Sequence, residues 1–289
     1  MARLRADTLV AASTLAIRLA LLDDANLGLD EALRVARREG DRGLEAQALE
    51  KLALGATERG ALATARKQLE AARAIQENLP DRRALASILD SLAAVVIAQG
   101  DYALAAPLLK RSAELYRGER DAQGGAWVRV DQALLALALG QFDAAAAHAR
   151  AAMSTGEEKQ DWNLIAWADI YLGFTCARER NHDDARTHLA DALRRLILRG
   201  DTRPQILALE GFAALAAEEG DPVRAIRLAA GADAARTDAG FPRTVAEDEL
   251  LERSLEQARD ALAPDELEHE ISAGHVMSLE EVISVARDE

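Results

Sequence analysis

A single cysteine, Cys176, rules out an internal disulfide and fits a reducing compartment. It falls inside a helical pattern, where a buried, inert thiol is expected. Aromatics make up only 3% of the chain, so the core must be built from alanine and leucine, whose small side chains let helices approach closely. No stretch reaches the ~20 apolar residues that a membrane span requires. Arg3 and Arg5 precede an apolar run at 9–17, but Arg18 interrupts it, so this segment reads as an amphipathic first helix rather than a signal peptide. Positive charge is also in deficit. Lys and Arg total 35 against 49 Asp and Glu, a formal net charge of −14 with no basic run. Such a surface repels phosphate backbones and anionic membranes, which excludes direct nucleic-acid binding by this segment and membrane association. A cytoplasmic location is expected.

Signatures of chemistry are missing too. The five histidines form no H-E-x-x-H, and His182 and His188, six apart, do not share one helix face. There is no CxxC, no G-x-S-x-G elbow and no G-x-x-x-x-G-K-[ST] loop. Acid pairs such as Asp183-Asp184 and Glu218-Glu219 read as solvated helix ends. No catalytic residue, metal or cofactor is expected, and the chain is read as a non-enzyme.

What is present is a repeat. Gly60, Gly100, Gly140 and Gly220 fall on one regular spacing, and Arg180-Asn181 fills the gap in the series. Seven positions before each mark stands a small residue: Ala53, Ala93, Ala133, Gly173 and Ala213. Ala65, Ala105, Ala145, Ala185 and Ala225 follow five positions after the marks. Ala72, Ser112, Ala152, Ala192 and Ala232 follow twelve after. Helical hairpins account for this spacing. In the 140 unit one helix covers 127–139, Gly140 ends it, Gln141-Phe142 turns, and a second helix starts at Asp143. Asn181 is expected to take the left-handed conformation at its turn. Segments 77–81, 118–125, 156–161 and 200–204 read as links between hairpins. They explain a period longer than the roughly 34 residues of the commonest helical-hairpin repeat. Upstream, 8–22 and 30–38 read as an out-of-phase hairpin with its turn at 23–28. After Phe241-Pro242, helices are expected at 245–262, after Ala263-Pro264-Asp265, and from Ser278 to about Arg287. The layout is an atypical N-terminal cap over 1–43, an array over 44–235 and C-terminal capping helices over 236–289, in one continuous solenoid.

The small–turn–small–small register resembles the tetratricopeptide repeat (TPR) over roughly 44–235. The resemblance implies an all-α, right-handed α-α superhelix. The C-terminal stretch, 224–234 with Gly240-Phe241-Pro242, 261–267 and 273–282, resembles the tail of the helical sensor region in bacterial signal-transduction ATPases and LuxR-type, MalT-like transcriptional regulators. That resemblance implies a sensor or scaffold region answering to a small-molecule inducer or a protein partner. The ATPase and DNA-binding activities are not carried over. The alternative is a stand-alone interaction scaffold that takes a peptide or helix in its concave groove.

In a TPR array the first helix of each hairpin lines the concave face. Trp127 and Trp167 occupy equivalent positions one repeat apart, as do Asp131 and Tyr171. Phe174 and Arg178 follow on the second of these helices, while Ser87, Asp90 and Ser91 lie on the same side one unit earlier. The set Asp90, Trp127, Asp131, Trp167, Tyr171, Phe174 and Arg178 is the expected ligand or peptide patch: aromatics for contact area, charges for orientation. The competing reading is that Trp127, Trp167 and Phe174 fill gaps between repeats. Oligomeric state is left open.

Overall fold

The computed structural model describes residues 2–19 and 21–287, which form fifteen α-helices and no strand. In order these are α1 (Ala2–Arg18), α2 (Leu22–Glu39), α3 (Arg42–Glu58), α4 (Leu62–Gln76), α5 (Arg82–Ala98) and α6 (Tyr102–Gly118). Then come α7 (Ala122–Ala138), α8 (Phe142–Lys159), α9 (Trp162–Arg178), α10 (His182–Ile197), α11 (Thr202–Glu219) and α12 (Pro222–Ala239). The last three are α13 (Val245–Asp260), α14 (Pro264–His275) and α15 (Leu279–Arg287). The chain is an all-α array of TPR-like helical hairpins, and it divides into two compact units, 1–128 and 129–289.

Its turns recur twice in each sequence repeat, not once. Positions 40, 60, 100, 120, 140, 160, 180, 200, 220 and 240 all have positive φ. After each, the next backbone N–H donates to the carbonyl five positions back, as Asp101 does to Val96 and Asp161 to Gly156. These are Schellman closures, which satisfy the orphan carbonyls of one helix around a single left-handed residue. An aspartate then often caps the next helix. The Oδ1 atoms of Asp41, Asp101, Asp121, Asp161 and Asp221 accept from the backbone N–H three positions on. The turns between hairpins at 40, 120, 160, 200 and 240 are therefore as tight as those within hairpins. The long period comes from helices of 15 to 18 residues and not from long links.

This corrects several expectations. Residues 118–125 are not a link: Gly118 closes α6, and Gly124 and Gly125 lie in α7. Gly124 is there for packing, since a Cβ would collide with the Tyr116 ring. Gly156 likewise lies within α8. The turn expected at 23–28 is the first part of α2, where a Cβ on Gly28 would collide with Ser13 Oγ. The first hairpin also keeps the register thought absent there. Ser13, Ala25 and Ala32 are buried at the −7, +5 and +12 offsets from position 20, which itself lies outside the described residues. At the 180 unit Arg180, not Asn181, takes the positive φ, and Asn181 sits at the helix start.

In the first unit α1 packs on α2, α3 on α4 and α5 on α6, and the odd helices also touch each other, α1 on α3 and α3 on α5. The alanines at the repeat offsets are fully buried at these crossings. The second unit continues the plan with α9, α10, α11 and α12. Leu189 of α10 fills the notches left by Gly173 and Gly211, at each of which a Cβ would lie 2.5 Å from it.

The C-terminal helices start as expected. Thr244 and Glu247 form a reciprocal capping box on α13, and Ser278 with Glu281 does the same on α15. α13 packs on α11 and α12. A buried ionic cluster holds it: Arg236 of α12 is bidentate to Glu210 of α11 at 2.7 and 2.6 Å and lies 3.4 Å from Glu247 of α13. Farther along α13, Arg253 donates to the Ala138 carbonyl at 2.8 Å.

Candidate functional site

The turn at position 80 breaks the pattern of the others. Proline cannot adopt positive φ, and Pro80 stands where every other mark from 40 to 240 does so. α4 accordingly stops at Gln76, and residues 77–81 make a looser turn. Gln76 Nε2 donates to the Asp81 carbonyl at 2.8 Å, and Asp81 caps α5 through the Ala84 N–H. Beside this turn opens a cleft of about 710 Å³.

The cleft lies on the odd-helix side of the first unit. Arg3 and Asp7 of α1, Gln47 and Glu50 of α3, Arg83 and Ser87 of α5, and Gln123 and Trp127 of α7 all line it. Gln47, Ser87 and Trp127 are equivalent positions in successive hairpins, so the repeat register sets them in a row. Tyr116 reaches in from α6 over Gly124. Burial pushes the Tyr116 hydroxyl well above its ordinary pKa, Asp90 adds to this, and a hydrogen bond with Ser87 opposes it. Ser87 Oγ donates to Glu50 Oε1 at 2.5 Å.

The expected patch divides. Trp127 is partly exposed and lines the cleft. Asp90 is partly buried near Tyr116, and it is not among the cleft residues. Asp131, Trp167, Tyr171, Phe174 and Arg178 belong to the second unit and are described there. Phe174 and Tyr171 are 2% and 3% exposed, so neither offers a surface to a ligand. The physical reason is packing from later in the chain. Phe174 lies against Gly211 of α11, and α11 packs on α9, the helix that carries both aromatics. Arg178 is also engaged, with Glu218 Oε1 at 2.7 Å, the Phe142 ring at 5.9 Å and the Arg253 carbonyl at 3.4 Å. Trp167 remains partly exposed, its ring 6.0 Å from that of Tyr171. Asp131, partly buried, loses enough water to raise its carboxyl pKa to about 7. Burial raises Tyr171 well above its ordinary value, the charges of Asp131 and Glu247 add to this, and Arg203 opposes it.

Sequence reading missed Glu50, Arg83, Tyr116 and Asp121 as cleft residues. The signal was present: an aspartate follows most of the turn marks, and the proline at 80 is the one that cannot close its turn as the others do. Cys176 is buried, as expected, and burial pushes its thiol upward. Among the described residues, no group of three or more His, Cys, Asp and Glu side chains could hold a metal ion. No helix there is long and apolar enough to cross a membrane.

No protein-family model matches the chain, and no curated protein matches it. Solved structures do. The crystal structure of BtubC (BKLC) from P. vanneervenii aligns with a TM-score of 0.54 at 16% identity, covering 81% of this chain and 91% of that one. The likeness is one of fold. YrrB, a TPR protein with an unusual peptide-binding site, gives a looser 0.40 at 21% identity, covering 70% of this chain and 88% of that one.

Proposed function

We propose that the chain is a non-catalytic binding scaffold whose first unit takes an extended segment of a partner protein in the cleft of its odd helices. The observation that carries this is the cleft itself: four successive odd helices contribute side chains, and an aromatic wall, Trp127, stands at one end. At 8–10 Å between packed helices, four helices span about 25–30 Å, the length of roughly eight extended residues. Backbone amides of such a segment would find hydrogen-bonding partners in Gln47, Ser87 and Gln123. Selection of a random dodecapeptide display library on the immobilised full chain tests it. Enriched peptides should lose binding to the Trp127→Ala variant while its thermal melt stays unchanged. Enrichment that ignores Trp127, or none above a bare-matrix control, sinks the proposal.

The finer reading, a sensor region of a cytoplasmic bacterial regulator that answers to a small-molecule inducer, draws its support from the C-terminal segment. Its resemblance-bearing residues fold back onto the array, with α14 against α12 and α13 against α11. A metabolite panel in thermal-shift assay tests it. A ligand at 100 times its Kd should stabilise the fold by about 2.7 kcal/mol, and an inert panel at millimolar concentration counts against it.

A further inference from the structure

The charges in the first-unit cleft are layered by depth. Three cations and five carboxylates line it. Each cation pairs with a carboxylate that is more deeply set than itself. Arg83 is 70% exposed over Asp121 at 12%, 2.5 Å away. Arg3 is 76% exposed over Asp41 at 21%, and Lys51 is 25% exposed beside Glu50 at 9%. The floor is anionic; Arg3 and Arg83 lie at the mouth on long, solvated side chains, while Lys51 is set deeper beside Glu50. Asp7 and Asp81 add two further carboxylates to the lining, and Trp127 stands at the α7 end of the cleft.

From this we infer that the cleft is a subsite for a lysine or arginine side chain of the bound segment, which enters between Trp127 and the Glu50–Asp121 floor. The inference rests on the scaffold reading and specifies its partner. An incoming guanidinium or ammonium takes Asp121 from Arg83, whose own charge already lies largely in water, and shares Glu50 with Lys51. Arg83 holds Asp121 from a largely solvated position, so this exchange gives up little. The newcomer gains a desolvated carboxylate and an aromatic face, both of which favour a cation. An acidic segment meets the reverse. It finds cations that are each already neutralised, above a floor that repels it. The net charge of −14 draws basic segments toward the cleft and slows acidic ones.

The peptides enriched on the full chain supply the probe. Enriched sequences should share one Lys or Arg at a fixed place. Synthetic fluorescein-labelled copies with that residue replaced by glutamine should bind about tenfold more weakly, the loss of one charge-assisted contact. Glu50→Gln and Asp121→Asn should each reproduce most of that loss, and affinity should fall as salt rises. The substitution on the peptide leaves the protein intact, so a protein variant that fails to fold does not decide the matter. Trp127-dependent peptides without a required basic residue, or binding indifferent to Glu50→Gln and Asp121→Asn in folded variants, overturn the cation subsite and leave the scaffold standing. Absence of any Trp127-dependent peptide overturns both.

Discussion

Leu189 shows how much one side chain can organise here. It enters α9 at Gly173 and α11 at Gly211 from a position between them on α10. Removing it leaves an unfilled space that an alanine-rich neighbourhood cannot collapse into, so Leu189→Ala should cost about 2–5 kcal/mol of stability. Gly173→Ala forces a methyl into the same leucine and should cost about 1–3 kcal/mol. Together the two should cost clearly less than their sum, because the added methyl occupies space that the lost leucine vacates. Urea unfolding followed by circular dichroism reads all three values. Asp131 gives a different signature. Its folded pKa of about 7 lies above that of the unfolded chain, so the folded state holds the proton longer. The stability tied to that proton is complete below about pH 4 and is lost as pH rises through 7. Asp131→Asn should therefore flatten the pH dependence of the urea midpoint between 4 and 7, and it should exceed the wild type in stability at pH 8. An unchanged slope would show that Asp131 titrates normally.

At the scale of helices and turns, sequence periodicity located the alanine seams and the strict register of the small positions. It could not separate a glycine that turns the chain from one that lets two helices touch. Gly140 and Gly124 look alike in sequence. One has φ of 70°, and the other makes room for the Tyr116 ring. Nor could a helix-by-helix reading find α13 packed against α11, since that contact depends on Arg236, Glu210 and Glu247 meeting in the core from three helices. Truncating one member of such a buried cluster strands the others, so Glu210→Ala should destabilise by about 3–5 kcal/mol. Tyr171 is closed off in the same way, because α11, one repeat later in the chain, packs on its helix. The turn at Pro80 gives the sharpest element-level test. Pro80→Gly restores the residue that the other turns favour. It should lengthen α4, narrow the cleft and weaken any selected peptide several-fold. It should bring no gain in stability, because glycine enlarges the unfolded ensemble by about 0.4–1 kcal/mol. Amide exchange at Asp81 reports the new turn hydrogen bond.

For the molecule as a whole, the spacing of the turns separates two lengths. Geometry repeats with every helix, while chemistry repeats with every second one, because odd and even helices bury different faces. This has a genetic consequence. A recombination that removes the codons for 101–140 joins Gly100 directly to Gln141. The new junction has the same left-handed glycine before the same helix start as the parent has at Gly140. Every surviving helix keeps its parity and every surviving turn its closure. Such a shortened chain should express as a soluble protein with unchanged helicity per residue, as measured by circular dichroism. Removal of a single helix between neighbouring marks, which preserves the turns but exchanges odd for even helices, should not. Duplication obeys the same rule, so between left-handed marks the gene can gain or lose whole pairs of helices without repairing a joint.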